Sequence, residues 1–339
     1  MKTEMLTEKE AERAGDILRN GGLVAIPTET VYGLAANALN GEAVSHIFKA
    51  KGRPMDNPLI VHIAEREELK ALVKEIPETA EKLMDYFWPG PLTIIMPKAD
   101  IIPDEVSAGL DTVAIRMPSH PVARKVLKAG GVPLAAPSAN TSGKPSPTTA
   151  AHVYDDLNGK IDAIVDGGSC DVGVESTVIT LCSEIPRLLR PGRVTPEEIT
   201  KVIGPIEVDN AVLHPLKDGA VVMSPGMKYK HYSPTANVIV ISSSLNKFRE
   251  YVNKKAEENE GKTAALVFEG EETEINCETL SFGKKDSDED HANRLFGALR
   301  ESDELGIDTV YVRCPSAEGV GLAVMNRLLR AAEFQVIEL

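Results

Sequence analysis

Between Gly204 and Ala236 the chain reads GPIEVDNAVLHPLKDGAVVMSPGMKYKHYSPTA, rich in Pro and Gly and without a sustained hydrophobic period. A stretch this long with no regular structure is uncommon inside one compact domain and is usually functional or disordered. It divides 339 residues, too many for one ordinary core at about 150 residues per domain, into a longer first part and a shorter second part. We expect domains over 1–204 and 237–339, joined by a linker over 205–236.

The two parts carry different patterns. Thr7 and Glu10 make a T-x-x-E capping box before an apolar stripe of Ala11, Ala14, Ile17 and Leu18, and Gly21-Gly22 ends that helix. A buried strand is expected over 23–26, with further strands at 59–63, 92–96, 113–117, 134–136, 163–165, 177–181 and 188–189. Helices are expected at 42–50, 67–74, 79–87 and 195–202. Several of these strands follow one another with no helix between them, which predicts a mixed open sheet in an α/β fold. In the second part, strands at 238–241, 264–268 and 309–312 alternate with helices at 247–256, 291–305 and 321–332, the pattern of a small, mainly parallel α/β domain.

Charge weighs against one class of function without excluding a local basic groove. Lys plus Arg is 37 against 51 Asp plus Glu, a formal net charge of -14, so a global basic footprint for nucleic acid is absent. From Val238 onward there are 12 basic and 20 acidic residues, which leaves the first part less acidic for its length and the better home for a polyphosphate site. Cys170, Cys182, Cys277 and Cys314 form no C-x-x-C pair, and no His cluster has ligand spacing, so neither structural zinc nor a disulfide frame is expected. The run KKDSDEDH (284–291) reads as a solvated loop and helix start whose acids complement the helix dipole. No apolar run approaches the roughly 18 residues of a membrane span. The charged amino-terminal residues lack a signal-peptide pattern, and a cytoplasmic location is expected.

Chemistry-bearing residues gather in polar loops at strand ends. PTETVYGL (27–34) follows a buried strand and suits either a small zwitterion, with an acid for an ammonium and hydroxyls for a carboxylate, or a capped turn. KAKGRP (49–54) suits either a phosphate clamp or simple complementation of a helix carboxyl end. APSANTSGKPSP (136–147) offers hydroxyls and backbone N–H groups to phosphate oxygens, yet it is not a Walker A motif, and no G-x-G-x-x-G occurs. Arg116 interrupts an apolar strand and needs an anionic partner if its face is buried. There is no G-x-S-x-G elbow and no H-E-x-x-H, which favours a site that positions and neutralises charge.

Taken in order, PTETVYGL, KAKGRPMDNPLIVH, WPGPLT, AIRMP, APSANTSGKPSPT, GVESTV and LLRPG resemble the YrdC/TsaC family, and SPGMKYKHYSP (224–234) with the residues after it resembles the family's long two-domain form. That resemblance implies a twisted open sheet with a large concave cavity, a Rossmann-like appended domain and a linker acting as a lid. It implies L-threonylcarbamoyladenylate synthesis from L-threonine, bicarbonate and ATP with Mg2+, the product passing to a tRNA threonylcarbamoyl transferase complex that modifies adenosine 37. Stable tRNA binding and membrane association are not expected. By resemblance, Thr30, His62, Arg116, Ala136 and Ser176 contact threonine, while Asn57, Thr112, Ser138, Asn140, Ser146, Arg190 and His231 contact ATP. Lys51 and Arg53 are the expected catalytic cations, Arg53 also touching ATP. The rival readings are a double-stranded RNA-binding or translation-associated module and a carbamoyl-adenylate-forming enzyme.

Overall fold

The structure, a computed structural model, describes residues 2–215, 232–258 and 260–339. Among them the chain forms two compact units. The first comprises residues up to 142 with 146–212, and the second 143–145, 213–215 and 232–339. Most of the expected linker motif, and with it His231, lies outside the described residues.

The first unit holds strands β1 (Glu4–Thr7), β2 (Val24–Ile26), β3 (Gly33–Asn37), β4 (Ile60–His62), β5 (Leu92–Pro97), β6 (Thr112–Arg116), β7 (Leu134–Ala135), β8 (Ala163–Asp166), β9 (Thr177–Thr180), β10 (Arg187–Arg190) and β11 (Glu207–Val208). They form one sheet in the order β1-β8-β2-β3-β7-β4-β6-β5-β9-β10-β11. The sheet is mixed, as the sequence pattern predicts: β4–β6 and β5–β9 are parallel, whereas β2–β3, β4–β7 and β5–β6 are antiparallel.

Helices α1 (Ala11–Arg19), α2 (Gly41–Lys51), α3 (Leu69–Leu72), α4 (Glu78–Phe87), α5 (Asp104–Ser107), α6 (Pro121–Gly130), α7 (Ala150–Leu157) and α8 (Pro196–Ile203) accompany the sheet. Ala14 and Leu18 of α1 and Val122 and Val126 of α6 join Val24, Ile26 and Val165 in one buried cluster. Each large aliphatic side chain there contributes about 1.5–3 kcal/mol by leaving water. The two helices approach so closely that a Cβ on Gly15 would lie 2.6 Å from the Ala129 carbonyl carbon.

The second unit is a parallel sheet of β12 (Asn237–Ser242), β13 (Thr263–Val267), β14 (Glu278–Ser281), β15 (Thr309–Arg313) and β16 (Val336–Glu338), ordered β14-β13-β15-β12-β16. Helices α9 (Leu245–Glu258), α10 (Asp288–Glu304) and α11 (Gly321–Ala331) alternate with its strands. Ile241, Phe248, Val252, Ala265, Val267 and Tyr311 form its core cluster. Helix α10 begins three residues before the expected start because Ser287 caps it, accepting a hydrogen bond from the Asp290 amide at 3.1 Å.

Several elements go beyond the sequence expectation. Strand β3 consists of Gly, Leu, Ala, Ala and Asn, with no β-branched residue to mark it, and is fixed by pairing to β2 and β7. Helix α6 starts at Pro121 behind a His120 cap, and α7 behind a Thr149 cap. Strand β11 lies inside the stretch read as periodless, because two residues pairing with β10 are too few to carry a period. Strands β14 and β16 are likewise short, with one buried residue between them.

Candidate active site

Sheet register brings the polar strand residues together. His62 stands opposite Arg116, Arg116 opposite Thr93, Thr93 opposite Val178, and Val178 opposite Arg190. Residues directly across from one another present their side chains on the same face, so four polar residues share one row across five strands. One step along the same face, Ile60, Ala114 and Ile95 are apolar and pack with Val178 and Leu189. The polar row therefore sits directly above a dry core.

Arg116 is the hub of the row. Its Nη2 lies 2.7 Å from the Glu29 carboxylate, its Nη1 donates to Thr30 Oγ1 at 2.9 Å and its Nε donates to the Gly90 carbonyl at 3.3 Å. The charge that the strand pattern demanded a partner for is thus answered by Glu29. Gly90 can be only glycine, because a Cβ would fall 2.3 Å from the Phe87 carbonyl oxygen. Burial pushes the Glu29 carboxyl upward, but the Arg116 charge and hydrogen bonds override it and hold the group below the ordinary carboxylate range.

On the next strand, Thr93 Oγ1 lies 2.8 Å from Ser176 Oγ. Arg190 donates through Nε to the Ser176 carbonyl at 3.0 Å and through Nη2 to Ser176 Oγ at 3.1 Å. Gly192 lets this happen: its Cβ would lie 2.4 Å from the Thr177 amide nitrogen and 2.7 Å from the Glu175 carbonyl oxygen. Next to Ser176, Glu175 accepts a 2.5 Å hydrogen bond from Ser146 Oγ.

The second group of residues is assembled by the end of α2. Gly52 adopts the left-handed conformation (φ 62) and closes the helix by donating to the Lys49 and Phe48 carbonyls. This leaves Lys51 on the last turn and Arg53 just beyond it. Lys51 Nζ donates to the carbonyls of Ser138 and Asn140, both at 2.5 Å, and lies 3.4 Å from Asn140 Oδ1. Ser138 Oγ donates to Asn140 Oδ1 at 2.6 Å. Arg53 Nη2 donates to the Asn57 carbonyl at 3.2 Å, and both side-chain polar atoms of the buried Asn57 amide lack a hydrogen-bond partner among the described residues. A buried amide in that state is a ready acceptor and donor for a ligand.

The loops are laced to one another by the main chain. Tyr32 N donates to Pro147 O at 2.9 Å, Ala139 N to Tyr32 O at 2.8 Å and Gly173 N to Thr30 O at 3.1 Å. Thr30, Arg116, Ser176, Ser146 and Arg190 are therefore connected by side-chain bonds and short main-chain steps, and Lys51, Ser138 and Asn140 form a second knot joined to the first through Tyr32. Ala136, directly after β7, donates its amide to the Ile60 carbonyl at 2.9 Å beside the row. Thr112 stands apart, at the opposite end of β6 from Arg116 and partly exposed, with no side-chain hydrogen bond among the described residues. Thr28, Glu29, Thr93 and Glu175 belong to the network without standing among the expected contacts. Thr93 carried a readable signal, a polar residue interrupting an apolar strand as Arg116 does.

His62 is neutral at physiological pH, since burial, reinforced by the Arg116 charge, pushes its pKa from 6.5 down to about 3. The unfolded chain takes up that proton near pH 6.5, while the native protein resists it until about pH 3. His62 therefore costs no stability above pH 6.5, and stability falls as pH drops through the window between these values, by about 1.4 kcal/mol per pH unit. We expect His62→Gln to flatten the pH dependence of urea unfolding between pH 6 and 4 by that slope. Equal slopes in the two proteins would refute it.

Among the described residues no group of three or more His, Cys, Asp or Glu is arranged to hold a metal ion, and no helix is long and apolar enough to cross a membrane. The family described as Telomere recombination (Sua5, YciO, YrdC) matches residues 16–192, more than half of the chain. The chain belongs to this family. Residues 194–333 match a second family, described as Threonylcarbamoyl-AMP synthase, C-terminal domain, so the chain is the long two-domain form. It is 48% identical over 337 residues to the threonylcarbamoyl-AMP synthase of Pyrococcus abyssi, covering 99% of this chain and 97% of the relative. The Bacillus subtilis threonylcarbamoyl-AMP synthase is 46% identical over 332 residues, 97% of this chain and 95% of the relative. The crystal structure of P. abyssi Sua5 complexed with L-threonine has a TM-score of 0.92 at 46% identity and covers 100% of both chains.

Proposed function

We propose that the chain is a threonylcarbamoyl-AMP synthase, a nucleotidyltransferase that joins L-threonine, bicarbonate and ATP. The observation that carries this reading is the full-length likeness to synthases of that name, and the polar network fits the chemistry. The threonine amine and bicarbonate form an N-carboxy adduct and water. The adduct's carboxylate then attacks the α-phosphate of ATP, and pyrophosphate leaves with the magnesium that ATP brings as part of the substrate.

Each group has a place in this sequence. Thr30, Ser176 and neutral His62 hold the amino acid beside Arg116, whose charge Glu29 balances. The Arg116–Glu29 pair is close to neutral in sum, which suits a zwitterionic amino acid better than a bare anion. Arg53, Arg190 and Lys51 belong to the nucleotide side, with Ser138, Asn140, Ser146 and the unpartnered Asn57 amide. Lys51 acts by holding the 138–140 loop in place, and Arg190 reaches Ser176, so the two substrates meet at one serine. Water exclusion around buried groups protects the labile adduct. The product is consumed by a separate tRNA threonylcarbamoyl transferase complex, and the enzyme need not hold tRNA itself.

The test is pyrophosphate release on mixing the protein with ATP, magnesium, bicarbonate and L-threonine. Release that requires threonine is the expected result, with valine inactive because the side-chain hydroxyl is unmatched. Release that ignores threonine, or none, would overturn the reading.

A further inference from the structure

The hydroxyl at Thr30 has a fixed proton direction, and Thr28 sets it. Thr28 Oγ1 lies 2.6 Å from the Val31 carbonyl oxygen. A carbonyl brings no proton to such a contact, so the single Thr28 hydroxyl proton is committed there. Thr28 Oγ1 and Thr30 Oγ1 are 2.8 Å apart, and the proton between them is then that of Thr30. Arg116 Nη1 donates to Thr30 Oγ1 from another side. Thr30 has given away its proton and filled one lone pair, so what remains is one lone pair. Thr28 and Thr30 are 3% and 1% exposed, so bulk water does not compete for these bonds.

We propose that Thr28 is a positioning residue that makes Thr30 an obligate hydrogen-bond acceptor, so that this corner of the site takes a donor of the amino acid, its ammonium or its hydroxyl, and turns a carboxylate away. The Thr30 and Val31 amides, at 3.2 and 3.3 Å, share the other lone pair of Thr28 Oγ1, which holds the turn that aims Thr30. The inference rests on the reading of L-threonine as substrate.

Steady-state kinetics on Thr28→Val and Thr28→Ser tests it. Valine keeps the shape but cannot receive the Thr30 proton, which frees Thr30 to donate. The expected result is a KM for L-threonine raised about tenfold, with kcat and the KM for ATP within about twofold of wild type. Serine restores the threonine KM to within about threefold. A turn that was merely structural would move both substrates together. Thr28→Cys, a weak acceptor of similar shape, serves if the valine variant does not fold and is expected between serine and valine. An unchanged threonine KM in the valine or cysteine variant, an equal rise for ATP, or failure of serine to rescue would each overturn the inference. Wild-type protein that releases pyrophosphate alongside an unchanged valine variant removes this inference alone. Wild-type protein with no threonine-dependent release removes the synthase reading and this inference with it.

Discussion

Replacing Glu29 by glutamine is expected to abolish synthesis and to destabilise the first unit by about 3–5 kcal/mol, because it leaves the Arg116 guanidinium buried without its counter-charge. The pair is tight, 2.7 Å apart with side chains 4% and 8% exposed. Arg116→Met is expected to cost a similar amount by stranding Glu29, and to lose the donor to Thr30 as well. The double variant Glu29→Gln, Arg116→Met carries no unpaired charge, so its stability is expected to return to within about 1–2 kcal/mol of wild type. Its activity is expected to stay down by at least about a hundredfold, since the charge that organises Thr30 and Gly90 is gone. Chemical denaturation of the four proteins gives the coupling, and pyrophosphate release gives the activity. If the two single-variant costs simply add in the double, the pair is not a unit.

The second large effect is expected at Lys51. Its ammonium, 2% exposed, ties the Ser138 and Asn140 carbonyls to the end of α2. Lys51→Met removes the charged donor from the half-buried Ser138 carbonyl and the buried Asn140 carbonyl, bonds worth about 1.5–3 kcal/mol each, and frees the loop that carries Ser138 and Asn140. We expect activity to fall about a hundredfold or more and hydrogen exchange to quicken at the Ala139 amide, which bonds Tyr32, and at Ser142, which bonds the Lys51 carbonyl. Lys51→Arg keeps the charge but not the compact three-donor geometry, because a planar fork cannot meet oxygens converging on one point. It is therefore expected to resemble the methionine variant. Full activity in Lys51→Arg would mean that charge alone matters at this position.

Much of this architecture was legible because side-chain chemistry betrayed it. Apolar runs marked most of the first unit's strands, and the Thr7–Glu10 capping box is present, although it opens a 3-10 turn leading into α1. An arginine within an apolar strand demanded an anion, and Glu29 supplies it. What stayed hidden depends on register. Nothing local in LTIIM or VAIR reveals that Thr93 faces Arg116, because strand pairing decides it. Strand β3 was unreadable for the opposite reason, as its small residues carry no preference that pairing does not supply. The setting of Lys51 was not legible from its charge. Three cations near a helix end suggest a phosphate clamp, yet one of them turns inward to bind carbonyls of its own chain. Thr112, expected by resemblance to contact ATP, stands at the opposite end of β6 from Arg116, away from the assembled network.

In the proposed reaction one site joins bicarbonate carbon, threonine and the adenylate of ATP. The most direct measurement follows carbon-labelled bicarbonate and threonine into nucleotide by chromatography and mass, with pyrophosphate counted in the same reaction. One labelled carbon and one threonine are expected in each new AMP conjugate, in equal number to pyrophosphate released. Pyrophosphate release with no labelled carbon in the nucleotide, or label without threonine, would contradict it.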